Sequence, residues 1–184
     1  MTRTARLIFE VEDVKQTVNK LRQAGRRIVL TQGSFDLVHI GHARYCQKAK
    51  SFGDVLIVGV DSDQKVKARK GSHRPIVPED ERMEMLAHLR SVDYVVLKNL
   101  IDPKFQLIKL IKPDVLVATK ETYDQATINR LEKICGKVVV LDPMATTSTT
   151  AKIRLMQINT ANKIKDKMSQ KLIKTIEDVL EEFK

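Results

Sequence analysis

Ten residues, Gly33-Ser34-Phe35-Asp36-Leu37-Val38-His39-Ile40-Gly41-His42, follow closely on the apolar run Ile28-Val29-Leu30 and contain a His-x-Gly-His pattern. At the mouth of a buried strand such a pair can aim two imidazoles at one anionic group. Gly41 lets the backbone come close, and the amino end of a following helix adds unpaired N–H donors. A phosphate is the anion this arrangement suits. A histidine beside an apolar run is often structural, but a helical pattern follows, with Ala43, Cys46, Ala49 and Phe52 inward and Arg44, Gln47, Lys48 and Lys50 outward. That strand-turn-helix context favours the phosphate site. Lys70 closes a basic run with Lys65, Lys67 and Arg69 and can fold over bound phosphates or simply face water. Arg82 follows Glu79-Asp80-Glu81, where a helix-surface ion pair is the plain alternative. Asp36 can orient the loop or a substrate group, or cap the helix; Asp61 and Asp63 can meet substrate hydroxyls, or only end a strand.

These side chains need a frame, and the sequence supplies an alternating one. Val11, Val14, Val18 and Leu21 are spaced as a leading helix over 10–24 that stops at Gly25. Strands are expected at 27–32, at the continuously apolar 55–60, at 94–97, at 115–117 and at 138–141. Between them fall the helix after His39, one opened by Glu79, one around 103–111 and one around 124–135. The basic stretch 65–78, with Gly71 and Pro75, reads as a mobile loop. The pattern predicts an α/β, Rossmann-like doubly wound parallel sheet of about five strands with helices on both faces. Ligands of such sheets bind at the carboxyl ends of the strands. The expected division is a domain over 1–155 and an amphipathic helical extension over 156–184. Met168, Leu172, Ile176, Val179 and Phe183 line one face of that extension, to pack on its own domain or to form a homodimer contact.

Bulk properties narrow the function classes. The chain has 184 residues, 42% hydrophobic and 30% charged, which fits one globular domain with a short appendage. No apolar stretch approaches the roughly 18 to 20 residues of a membrane span, and the first residues lack a signal-peptide core. A cytoplasmic protein that binds no membrane is expected. Cys46 and Cys135 lack metal-ligand spacing and read as reduced, partly buried thiols. The net charge of +10 is dispersed, and with three Tyr, five Phe and no Trp there is little for base stacking. Nucleic acid is therefore not the expected partner; small polyanions such as nucleoside triphosphates are.

Taken with Thr147-Ser148-Thr149-Thr150 and the following Lys152-Ile153-Arg154, the HxGH segment resembles the cytidylyltransferase-like nucleotidyltransferases over about residues 10 to 155. By itself a Ser-Thr-Thr run is usually a cap or turn. Within that group the likeness is greatest to the bacterial heptose 1-phosphate adenylyltransferases, through Gly53-Asp54, Asp61-Ser62-Asp63, Lys70-Gly71, Arg74-Pro75-Ile76, Glu81-Arg82-Met83 and Val92-Asp93-Tyr94. Glycerol-3-phosphate cytidylyltransferases come next. No Arg lies between Arg130 and Arg154, where the latter group carries one ahead of the Ser-Thr-Thr segment. In place of the heptose enzymes' K-G-G-D-Y segment stands Ala118-Thr119-Lys120-Glu121-Thr122-Tyr123, and Ser34 replaces a frequent Cys.

The resemblance implies a nucleotidyltransferase in which a substrate phosphate attacks the α-phosphorus of an NTP and pyrophosphate departs. It implies catalytic roles for His39, His42 and Lys70, and nucleotide or phosphate contacts from Gly33, Ser34, Phe35, Gly41, Arg82, Ser148, Thr149 and Thr150. Substrate contacts are expected from Asp36, Asp61, Asp63 and Arg74. Mg2+ is expected to arrive with the NTP, since the sequence offers no carboxylate cage and no protein metal site. ATP with a sugar phosphate is the favoured pair, CTP with an alcohol phosphate the alternative, and a nucleotide-sensing module without catalysis the reading from another class.

Overall fold

A computed structural model describes residues 5–120, 122–142, 144 and 149–182. The chain divides into two compact units, Met1–Ala145 and Thr146–Lys184. In order, the first unit runs β1 (Arg6–Ile8), α1 (Val11–Gln23), β2 (Ile28–Gly33), α2 (Ile40–Lys50), β3 (Val55–Asp61), α3 (Asp63–Lys70), α4 (Glu79–Ala87), β4 (Tyr94–Lys98), α5 (Gln106–Ile111), β5 (Val115–Thr119), α6 (Gln125–Leu131) and β6 (Val138–Leu141).

The strands form one wholly parallel sheet in the order β1-β4-β3-β2-β5-β6. Alternating side chains face opposite layers. Val29, Leu56, Val58 and Val117 pack toward Cys46 and Ala49 of α2 and Met83 and Leu86 of α4. Ile28, Leu30, Ile57 and Leu116 pack toward Val14 and Val18 of α1, Ile108 and Ile111 of α5, and Leu131 of α6. Cover on both faces explains why β3 is buried and why its sequence reads as an apolar run from Val55 to Val60. From β2 the chain steps one way to β3 and β4, then returns to the other side for β5 and β6, so the winding reverses between β2 and β5. A crevice at such a reversal, outside the carboxyl ends of the strands, is where doubly wound sheets bind ligands.

Two expectations need correction. Among the described residues the sheet has six strands rather than about five, because Arg6–Ile8 pairs with β4 at the edge; three residues are too few to show a strand period. The stretch 65–78 is not wholly loop, since α3 occupies Asp63–Lys70. Ser62 caps it, its Oγ accepting the Lys65 N–H at 3.3 Å, and Lys67, Arg69 and Lys70 stand in its last turn, where cations suit the helix dipole. Val66 alone anchors it in the core, so charge hid the helical period. Gly71, at φ +96°, takes the chain out of the helix with a backbone turn that side-chain-bearing residues resist.

Cys46 and Cys135 are free thiols, buried rather than partly buried, and burial pushes them up to about 12 and about 11. The second unit carries one long helix, α7 (Thr149–Glu182, 34 residues). Its Met168, Leu172, Ile176 and Val179 are exposed, while Phe183 lies outside the described residues. No helix among the described residues is long and apolar enough to cross a membrane.

Candidate active site

The loop between β2 and α2 lies at the winding reversal. Its backbone is forced into shape at two points, with Phe35 at φ +49° and Leu37 at φ +50°, both unusual for side-chain-bearing residues. Gly33 makes the first of these turns feasible: a Cβ there would sit 3.2 Å from the Phe35 ring. That ring in turn meets His42 edge-on, with centroids 5.5 Å apart.

His39 caps α2 and shares a reciprocal hydrogen-bond pair with its first turn. Its Nδ1 accepts the Gly41 N–H at 3.0 Å, and the His39 N–H is accepted by Nδ1 of His42 at 3.3 Å. With a backbone donor on each Nδ1, a neutral imidazole must carry its proton on Nε2. The two rings lie 4.2 Å apart between centroids, at 38°. Two Nε2–H donors of fixed tautomer are thereby held side by side at a helix amino end, a suitable cradle for phosphoryl oxygens.

Neighbouring elements clamp this loop. Lys70, the last residue of α3, donates from Nζ to Ser34 Oγ at 2.8 Å. Partial burial, then the nearby Arg69 and Arg74 charges, hold its ammonium below the usual lysine range, against the opposing pull of Asp36 and Asp61. The buried Asp36 carboxylate accepts the N–H groups of Ile76 (3.0 Å) and Val77 (3.1 Å) and pairs with Arg74 at 2.7 Å. It orients the loop rather than capping α2, a place His39 already fills. Nε of Arg74 is buried with no acceptor among the described residues.

Arg82 sits at the centre, only 1% exposed. Its guanidinium donates to the carbonyl of Val77 (2.9 Å), that of Ser34, that of Asp61 (2.9 Å) and the Asp63 carboxylate (2.7 Å). It is neither an exposed ion-pairing residue nor an open phosphate donor in this arrangement; it bolts the β2 loop to the end of β3 and to α3. Asp61 is equally enclosed. Burial alone would raise its pKa, yet Lys98 at 2.9 Å and Arg69 at 3.0 Å hold it below the usual carboxylate value. Lys98 is driven down by burial despite that partner.

The structure thus gathers Gly33, Ser34, Phe35, Asp36, His39, Gly41, His42, Asp61, Asp63, Lys70, Arg74 and Arg82 at the carboxyl ends of β2 and β3. Ser148 lies outside the described residues, and Thr149 and Thr150 open α7 with side chains that are likewise outside the description. Among the described residues no group of three or more His, Cys, Asp or Glu is disposed to hold a metal ion. Each of Asp36, Asp61 and Asp63 faces a cationic side chain instead.

A family profile described as cytidylyltransferase-like matches residues 30–161. The chain belongs to that cytidylyltransferase-like family. Within it, the chain is 42% identical over 154 residues to the bifunctional protein HldE of Nitratiruptor, covering 84% of this chain and 33% of that protein. The HldE of Helicobacter pylori is 50% identical over 110 residues, 60% of this chain and 23% of its own length. The chain therefore spans a third or less of these relatives. Among solved structures, a lipopolysaccharide core biosynthesis protein from Thermoplasma volcanium shares 28% identity at a TM-score of 0.56, covering 65% of this chain and 98% of that one. A Francisella tularensis pantoate-beta-alanine ligase, 20% identical with a TM-score of 0.59 over 75% of this chain and 67% of its own, shares the fold.

Sequence reasoning missed several supports of this cytidylyltransferase-like site. The Tyr45 hydroxyl donates to the carbonyl of Val117 at 3.1 Å, so the contact with Thr31 at 2.8 Å must be donated by Thr31. This buried relay ties α2 to β2 and β5 across the winding reversal. Lys98 and Arg69 were also unmarked as partners of Asp61; a lysine closing an apolar strand beside a strand ending in Asp was the available signal. Where Thr119 and Lys120 replace glycines, Thr119 and Thr122 bond through their hydroxyls at 2.8 Å, and the Thr122 N–H closes on the Thr119 carbonyl at 2.9 Å. Tyr123 packs edge-on to Phe105, and burial pushes its phenol up to about 12. Lys120 itself pairs with Asp142 at 2.7 Å on the surface.

Proposed function

We propose that this chain is a nucleotidyltransferase that joins ATP to a sugar phosphate, heptose 1-phosphate above all, and releases pyrophosphate. The observation that carries the reading is the pair of imidazoles with both Nδ1 atoms committed to backbone N–H groups at the mouth of β2. The HldE relatives, the lipopolysaccharide core biosynthesis protein and the sequence resemblance to heptose 1-phosphate adenylyltransferases support the choice of ATP and heptose.

In this reaction an oxygen of the acceptor phosphate forms a bond to the α-phosphorus while the bond from that phosphorus to the bridging oxygen breaks. The electron pair leaves with pyrophosphate, and no covalent enzyme intermediate forms. Catalysis then rests on alignment and on stabilising charge at the phosphoryl oxygens. His39 and His42 donate from Nε2 to those oxygens, Lys70 adds a cation from the end of α3, and the family resemblance assigns the outer phosphates to Ser148, Thr149 and Thr150. Asp36 and Arg82 act as positioning residues, and Arg74 offers its Nε–H to the acceptor. Magnesium enters with the triphosphate as part of the substrate. Pyrophosphate release with MgATP or MgCTP, each against a panel of sugar and alcohol phosphates, tests the proposal. Release with MgATP and heptose 1-phosphate is expected; release confined to CTP with an alcohol phosphate, or none with any pair, would overturn it.

A further inference from the structure

The family match ends at residue 161, whereas α7 continues to Glu182. The additional turns carry an apolar stripe whose members are all well exposed: Met168 (69%), Leu172 (63%), Ile176 (50%), Val179 (45%) and Leu180 (59%). Among the described residues of the helix's own unit nothing covers it. At 3.6 residues per turn, Lys167, Lys171 and Asp178 fall along one border of this stripe, basic in its first half and acidic in its second. That polarity states what kind of partner fits. We propose that the stripe is covered by α7 of a second copy of this chain, running antiparallel.

In a two-fold antiparallel pair, each border of one helix meets the same border of the other, and every contact occurs twice. One register sets Lys171 opposite Asp178 of the second copy, and the two-fold repeats that pair on the other side of the axis. Within one residue of that register, Met168 meets Leu180 and Leu172 meets Ile176 of the second copy, so charge and apolar pattern agree on one alignment. A parallel pair joins residues about five apart across the seam, which sets Asp166 against Lys171 but leaves Asp178 facing Ile173, so the Lys171–Asp178 match is not used. Each surface ion pair adds little by itself; their arrangement selects direction and register, while the apolar stripe supplies the drive.

Sedimentation equilibrium of the full chain tests this. A species of twice the 21.0 kDa chain mass is expected, lost in Leu172→Asp. Lys171→Glu should raise the dimer dissociation constant roughly tenfold, as two contacts turned from attraction to repulsion would, and adding Asp178→Lys should restore it. The thermal transition of the first unit should stay where it is in all variants, which separates lost pairing from lost folding. A wild-type chain that remains monomeric, a dimer indifferent to Leu172→Asp, or a Lys171→Glu defect that Asp178→Lys does not repair would each overturn the proposal.

Discussion

Each imidazole of the HxGH pair accepts a backbone N–H at Nδ1, so its Nε2 has a defined protonation when neutral. If His42 stabilises charge that grows in the transition state, His42→Ala should lower kcat by about 10²- to 10³-fold, the loss typical of one preorganised donor, with a much smaller change in KM for ATP. Steady-state kinetics would check this; a rise of that size in KM with kcat unchanged would assign the residue to ground-state binding. Lys70 makes a second prediction. Its pKa is lowered by burial and by Arg69 and Arg74, so it loses its proton as pH rises before an ordinary lysine would. A needed ammonium then gives kcat/KM an alkaline fall below the usual lysine pKa of about 10.4, and Lys70→Arg should move that fall to higher pH. Asp61 concerns stability rather than chemistry. Its folded pKa lies below the unfolded value, so its contribution is present above about pH 4 and is lost as pH falls through the folded pKa. Asp61→Asn leaves Lys98 buried without its counter-charge and should cost about 3 kcal/mol at neutral pH, seen as a lower denaturation midpoint.

At the level of elements, what could be read from the sequence depended on period and length. β3 is buried along its whole length and was visible as an apolar run. The site loop was legible because glycine, histidine and a strand-to-helix transition coincide there. α3 was not, since seven of its eight residues, Asp63, Gln64, Lys65, Lys67, Ala68, Arg69 and Lys70, are polar or small and Val66 alone is buried. Tertiary anchoring through Ser62, Arg69 and Arg82 decides that helix, and no local pattern encodes it. Arg82 shows the same limit: its position on α4 was evident, but its burial depends on carbonyls from three separate segments. The Tyr45 relay is another contact of this kind. Tyr45→Phe should leave the Thr31 hydroxyl and the Val117 carbonyl short of a partner and lower stability by about 2 kcal/mol, measurable by chemical denaturation. Because the relay joins α2 to both strands flanking the winding reversal, the same variant should also lower kcat, through looser placement of His39 and His42.

For the molecule as a whole, part of the +10 charge stands at the sheet's carboxyl edge. Lys65, Arg69, Lys70, Arg74 and Lys98 cluster around Asp36, Asp61 and Asp63, so positive charge exceeds negative where a triphosphate and a second phosphate would have to meet. Two polyanions repel, and an excess of fixed cations lowers the cost of bringing them together. The most direct test of that meeting follows oxygen. With MgATP and heptose 1-phosphate whose phosphate oxygens carry oxygen-18, mass spectrometry should find all the label in the nucleotide sugar and none in the pyrophosphate. Label in the pyrophosphate, or no nucleotide sugar at all, would contradict direct attack by the acceptor phosphate on the α-phosphorus at this site.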